Sequence, residues 1–461
     1  MRDSFQAKKS ATSPLTPLTE GSIPRSVLTL AIPTMSGLLC KAAFNIVDIF
    51  WVGRLGGEAI AAVSVAGFIF WTLLSLGELA DMGVMSLVAR RVGERDWPRA
   101  SYQAWQGVGF SLVTSLIVAA AFLSARGAIF RFMKTPPEVM ALGLSYLTII
   151  LYGLPALFLF FVLGAIFKGS GDAKTPMCIL IFSLALNAAL DPVLIFGWLG
   201  LPALGVGGAA LASVLAHGIG CLIAFSRLPV FMRERMARRI LAGLVPDLGL
   251  YKRIIQIGAP LSAAGVFFCL VYVFLTRITA HFGVAPMAAL GVVHKLESTT
   301  YFTHVAFAEA SAALVGQGLG ARKPGRAEAC AWQSVRYAVY ISTFVGSIFF
   351  VFPEFLMRVF TDDPDIIRAG VTYLRIVAFA QVFEGVDIVL EGAFVGAGNT
   401  IPPMLISIPI NFARFPIAYF LSFYVFHSAT GVWCAVASSM VLGGILMPFW
   451  FCRGKWKERK V

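Results

Sequence analysis

Asn187 and Asp191 interrupt the apolar run LNAALDPVLIFG (Leu186–Gly197), and Asn45 and Asp48 interrupt NIVDIF (Asn45–Phe50). The spacings are i, i+4 and i, i+3, so on a helix each amide shares a face with its carboxylate. Such a pair can take up a proton, a small inorganic cation or the ammonium of an organic cation. In a bilayer a charged Asp costs about 2.5–3.5 kcal/mol on insertion scales, so it usually marks an ion or substrate path. Simpler readings exist. Asp191 precedes Pro192 and could cap a restarted helix, while Asp48 could reach the outer interface before the turn at Gly53. Two acids with amide neighbours at similar depth favour one shared site. Lys41, one turn before Asn45, is either its counter-charge or a snorkelling cation. Pro33, fifteen residues before Asp48, lacks a backbone donor and makes the first span a natural hinge.

A second acidic stripe, Glu384, Asp387 and Glu391, is spaced i, i+3, i+7. Glu78, Asp81, Glu297 and Glu309 are further embedded acids, for which helix-to-helix hydrogen bonding is as good a reading as transport. The seven cysteines include no C-x-x-C pair, and His294 and His304 are ten residues apart, so no metal site is expected. No nucleophile–base set or phosphate loop is present, so the chain is not expected to be an enzyme and no cofactor is expected.

The elements that must position these residues are membrane helices. Hydrophobic residues make up 58% of the 461 residues and charged ones only 13%, with mean hydropathy +0.82, too little polar surface for a soluble globule. Apolar runs of about 20 residues begin near Val27, Ala59, Tyr102, Val139, Thr175, Gly205, Ile254, Pro286, Trp332, Ile366, Ile401 and Thr430. The fold class is therefore all-α and integral to a membrane, with twelve transmembrane helices. The net charge of +13 is a topology signal and does not imply nucleic acid. Arg90, Arg91, Arg95 and Arg99, the loop from Arg227 to Arg253, Arg322 to Arg326, and Arg453 to Lys460 all fall on the side of the N-terminus. By the positive-inside rule both termini are expected to be cytoplasmic, and the expected location is the cell (inner) membrane.

The chain is also duplicated. FKGSGDAKTPM (Phe167–Met177) returns as FVGAGNTIPPM (Phe394–Met404), and 394 minus 167 is 227. The same shift carries Pro33 to Pro260, Gly56 to Gly283 and Gly93 to Gly320; a shift of 226 carries LGVGGAALAS (Leu204–Ser213) onto TGVWCAVASS (Thr430–Ser439). The expected organisation is a flexible cytoplasmic tail (1–26), a first lobe of six helices (27–226), a cytoplasmic linker (227–253), a second lobe (254–452) and a cytoplasmic tail (453–461). An even number of spans relates the lobes by a pseudo-twofold axis along the membrane normal, as in transporters that alternate access. Asp48 shifts onto Leu275 and Asp191 onto Ala418, so both carboxylates belong to the first lobe alone.

In this setting NIVDIFWVGRLGGEAIAAVS (Asn45–Ser64), GSGDAKTPM, the NAALDP run and GAGNTIPPM together resemble the multidrug and toxic compound extrusion (MATE) transporters over essentially the whole chain. The resemblance implies two six-helix bundles in a V, a monomer, and efflux of organic cations or amphiphiles driven by H⁺ or Na⁺. It is closest to the DinF-like branch, whose helix-one aspartate and helix-five Asn-x-x-x-Asp correspond to Asp48, Asn187 and Asp191. The NorM-like branch places an acid on helix seven, eight residues after a proline, where this chain has Phe268; Glu384 stands about where that branch has its helix-ten acid. The alternative is a flippase for a lipid-linked saccharide, which would favour a basic cavity.

Overall fold

The computed structural model describes residues 18–133, 135–228 and 245–459; the chain before Leu18 and the linker stretch 229–244 lie outside them, as does the side chain of Asn45. Twelve long helices run through the described residues: α1 (Ile23–Gly53), α2 (Gly57–Gly93), α3 (Trp97–Phe132), α4 (Pro137–Gly169), α5 (Lys174–Phe196), α6 (Val206–Arg227), α7 (Leu248–His281), α8 (Val284–Gly320), α9 (Pro324–Val351), α10 (Pro364–Gly396), α11 (Ile401–Phe420) and α12 (Thr430–Cys452). Eleven are long and apolar enough to cross a membrane. The exception is α8, which carries His294, Lys295, Glu297, His304 and Glu309. It is a central helix, packed on α1 and α2 as well as α9 and α10, and Glu297 and His304 are buried; protein, not lipid, surrounds these groups. Apolar side chains such as Ile117, Leu222, Phe344 and Phe379 are exposed instead on outward faces, as a lipid solvent requires.

The duplication is visible in the packing. In the first half α2 packs on α3 and α4, α4 on α3 and α6, α6 on α5, and α5 on α1; the second half repeats this with α8 on α9 and α10, α10 on α9 and α12, α12 on α11, and α11 on α7. The halves meet through α2 on α7, α8 on α1, and α2 on α8. Equivalent turns are built alike: Gly56 (φ +112°) before α2 and Gly283 (φ +107°) before α8 both use the left-handed region, which only glycine enters freely.

The halves are joined at one end, where the described chain begins at Leu18 and ends at Arg459. There α2 and α8 cross reciprocally: a Cβ on Gly93 would run into the carbonyl of Gln317, and one on Gly320 into the carbonyl of Arg90. Because 93 and 320, like 90 and 317, differ by 227, this is a self-complementary contact about the pseudo-twofold axis. Val27, Leu30 and Ala31 of α1 extend the seam into the second half against Phe307, Leu314 and their neighbours. The Lys168 ammonium on α4 pairs with Glu309 on α8 at 2.7 Å across it.

Of the tail 1–26 expected to be flexible, residues from Leu18 on are built into the fold, and those before it lie outside the described residues. Leu18 donates its N–H to Gln317 Oε1 (2.9 Å), Gln317 Nε2 donates to the Gly169 carbonyl (3.0 Å), and Arg326 donates to the carbonyls of Gly21 (2.8 Å) and Glu20 (2.9 Å). Those bonds satisfy the backbone of a strap, Leu18–Gly21, laid across the seam. At the other terminus Trp456 is buried and stacks on Phe451 at 4.6 Å, and Arg90 Nη2 donates to the Arg459 carbonyl (3.1 Å).

Candidate functional site

Asp48 and Asp191 each lie five residues before the end of their helix, on α1 and α5, which pack side by side. This equal offset brings the two carboxyl groups into direct interaction. Asn187 completes the group. In one amide orientation its Nδ2 donates to Asp48 Oδ1 (3.1 Å) while its oxygen accepts from the Ser213 N–H (3.2 Å); in the other, Nδ2 donates to Asp191 Oδ1 and Ser213 Oγ, both at 3.4 Å. Asp191 is 1% exposed and its Oδ2 has no hydrogen-bond partner. Neither aspartate enters an ion pair among the described residues. Helix α5 runs unbroken through Pro192 to Phe196, so Asp191 does not cap a restarted helix.

Lys41 is not the counter-charge of this pair. It sits seven residues before Asp48, about 10 Å along the helix, with its ammonium 5.5 Å from the centre of the Phe161 ring. It belongs to a cavity of about 440 Å³ between the halves. The wall carries Glu78 and Asp81 from α2, Glu309 from α8, and Glu384, Asp387 and Glu391 from α10. The acidic stripe of α10 thus faces this space, as do both acids of α2, and rings including Phe158, Phe161, Phe268 and Tyr301 cover much of the rest. Glu384 approaches His304 Nδ1 at 3.5 Å, and Asp387 Oδ1 is unpartnered. Six carboxyl groups on one wall of this size give strong field focusing for a cation, and the rings give it π faces.

Glu297 is elsewhere. It accepts from the Tyr373 hydroxyl (3.1 Å) and Gln381 Nε2 (3.2 Å), tying α8 to α10, and it is not on the wall. Asp48, Asn187 and Asp191 are also off the wall, nearer the end opposite the termini. Pro33 lies inside α1, which is continuous through it.

One wall residue escapes a search for acids. Arg414 on α11 is 7% exposed, lines the cavity beside Phe268, and donates from Nε to Ser439 Oγ. The repeat could have found it: 414 minus 187 is 227, and 439 minus 213 is 226. The Asn187–Ser213 contact of the first half thus has an arginine–serine counterpart in the second.

Twelve membrane helices in two like halves, with a charged cavity between them, define a membrane transporter. The MatE family profile matches residues 33–193 and again 260–420, two stretches whose starts and ends both differ by 227. The chain is 29% identical over 441 residues to the probable multidrug resistance protein NorM of Thermotoga maritima, covering 95% of this chain and 94% of that one. It is 26% identical to the probable multidrug resistance protein YoeA of Bacillus subtilis, over 95% and 96% of the two chains. Among solved structures, a multidrug resistance MATE family transporter in an outward-facing conformation shares the fold with a TM-score of 0.86 at 24% identity, over 95% of this chain and 98% of that one. A MOP superfamily transporter from Pyrococcus furiosus does so with a TM-score of 0.89 at 24% identity, over 97% and 100%. The chain belongs to the MatE family and is a transporter, not an enzyme.

Proposed function

We propose that this transporter is a secondary antiporter that exports cationic or amphiphilic small molecules through the central cavity in exchange for H⁺ or Na⁺ taken up at Asp48, Asn187 and Asp191. The observation that carries the reading is the unpaired state of the first-half acids. Two interacting carboxyl groups, one or the other bonded by the Asn187 amide according to its orientation and neither with a basic partner among the described residues, are poorly satisfied unless a cation or proton joins them. The cavity, with six acids and two bases, supports a cationic cargo and disfavours a lipid-linked pyrophosphate. The multidrug resistance names of the relatives agree with that cargo class.

In this reading the end bearing the termini is cytoplasmic and closed, and export follows from differential stability. Loading the first-half acids favours a conformation in which α1, hinged at Pro33, narrows the cavity and releases its contents outward. The protein acts as a monomer in the inner membrane. The deciding experiment uses liposomes reconstituted with the pure protein, a fluorescent organic cation and an imposed pH or Na⁺ gradient. Dye movement against its gradient, lost on Asp191→Asn, supports the proposal; movement that persists without either gradient, or is independent of both aspartates, rejects it.

A further inference from the structure

The pseudo-twofold that relates the crossing helices also relates what two of their side chains hold. Gln317 on α8 and Arg90 on α2 differ by 227, and each presents its own carbonyl to a glycine of the other half. Gln317 is fully buried; it accepts from the Leu18 N–H (2.9 Å) and donates from Nε2 to the Gly169 carbonyl (3.0 Å). Arg90 donates from Nη2 to the Arg459 carbonyl (3.1 Å). The start of the described chain is thus held by the second half and its end by the first. The strap is held further by Arg326, which donates to the Leu18 carbonyl (3.2 Å) as well as to Glu20 and Gly21, and by Lys323, which donates to the Thr19 carbonyl (3.3 Å). Glu20 faces Arg95 of the first half at 3.2 Å and Lys323 of the second at 3.9 Å. At the other end Trp456 donates to the Phe451 carbonyl (2.9 Å) and Lys457 pairs with Glu328 at 2.7 Å, so the segment that ends at Arg459 is anchored on the second half.

We propose that the strap and the Arg459 segment form a paired clasp, keyed by Gln317 and Arg90, which holds this end of the transporter shut and releases before the cavity opens toward it. Parting the halves there breaks the Gln317–Gly169 and Arg90–Arg459 bonds, because each joins one half to the other. It also sets the strap against Arg326 wherever α1, which begins two residues after the strap, moves with its own half. The bonds suit a join that opens. At the crossing itself glycine meets backbone, a contact that separates without unpicking interlocked side chains. The hydrogen bonds and exposed ion pairs over it each contribute little net, since water replaces the lost partners. The inference rests on the exchange reading, which requires this end to open, and it adds the residues that resist the opening.

The test is a distance measurement between spin labels on Lys174→Cys and Ile401→Cys, in protein whose seven native cysteines are changed to serine. These positions are exposed, differ by 227, and start α5 in one half and α11 in the other, away from the clasp. Gln317→Met, and a chain lacking residues 459–461, are each expected to raise the ratio of long-distance to short-distance molecules about fivefold, the effect of about one net hydrogen bond. Combined, they are expected to give a resolved long-distance population. A single unchanged distance in the combined variant overturns the clasp. If Gln317→Met elutes as aggregate, deletion of residues 2–21 releases the strap without altering a helix; it is expected to lengthen the distance, and deletion of residues 2–17 is not. Equal effects of the two deletions overturn the role of the strap. Gradient-driven dye transport by the wild-type protein, measured in liposomes, reports the exchange reading separately. Transport with unchanged distances in every clasp variant overturns the clasp alone; longer distances without such transport uphold the clasp and overturn that reading.

Discussion

At the scale of single residues, Asp48 and Asp191 lack the close partners that Glu309, Glu297 and Glu384 have. Glu309 has Lys168, Glu297 has Tyr373 and Gln381, and Glu384 has His304 nearby, whereas Asp48 and Asp191 have only each other and Asn187. Asp48→Asn and Asp191→Asn replace a costly buried charge with an isostere, so both are expected to fold normally and to reduce gradient-driven efflux to the level of empty liposomes. Glu384→Gln is expected to slow efflux only about three- to fivefold, the effect of weakening its contact with His304 by about 0.6–1 kcal/mol. Efflux assays on the three variants check this, and full efflux in both aspartate variants with loss in Glu384→Gln would move coupling to the second half. The grouping of Asp48, Asn187 and Asp191 was legible in sequence because helical spacing and equal distance from a span end are one-dimensional quantities. The role of Lys41 was not: helix α1 turns it toward the second half, and its neighbours Phe161 and Glu309 are distant in sequence. Arg414 was overlooked because an isolated cation in an apolar run carries no spacing signal.

At the scale of elements, the crossing of α2 and α8 is a close backbone contact between the halves. Adding a methyl to Gly93 or Gly320 drives it into a backbone carbonyl, which cannot rotate away. Overpacking of this kind costs about 1–3 kcal/mol. Because the two contacts are equivalent, Gly93→Ala and Gly320→Ala are expected to lower thermal stability by similar amounts, and the double variant by less than the sum, since one shift of the helices relieves both. Differential scanning fluorimetry in detergent measures all three; a large inequality would mean that the seam is not reciprocal. Helix boundaries and the repeat were readable from apolar runs and turn residues. The polar α8 was readable from the apolar run beginning near Pro286, and the repeat matches it to α2. The strap Leu18–Gly21 was not legible, since a Ser-, Thr- and Pro-rich tail has no periodicity and its order comes from Arg326 and Gln317, about 300 residues away.

At the scale of the whole molecule, orientation governs how every depth is interpreted. A small epitope after Val461, or one inserted near Arg235, is expected to be reached by antibody or protease only after the membrane is opened to the cytoplasmic side. Reaction of either in intact cells would invert the proposed topology. Among the described residues the halves meet through helix faces, the α2–α8 crossing, the α1 and α7 contacts, the Lys168–Glu309 pair and the bonds of Tyr102 and Gln106 on α3 to Asp247 and Val245, and none of these needs an unbroken chain near residue 235. The peptide bond there is consequently dispensable for recognition between the halves. Two genes, one ending and one beginning near residue 235, should complement each other when co-expressed: the polypeptides are expected to co-purify and to restore dye efflux, while either alone does neither.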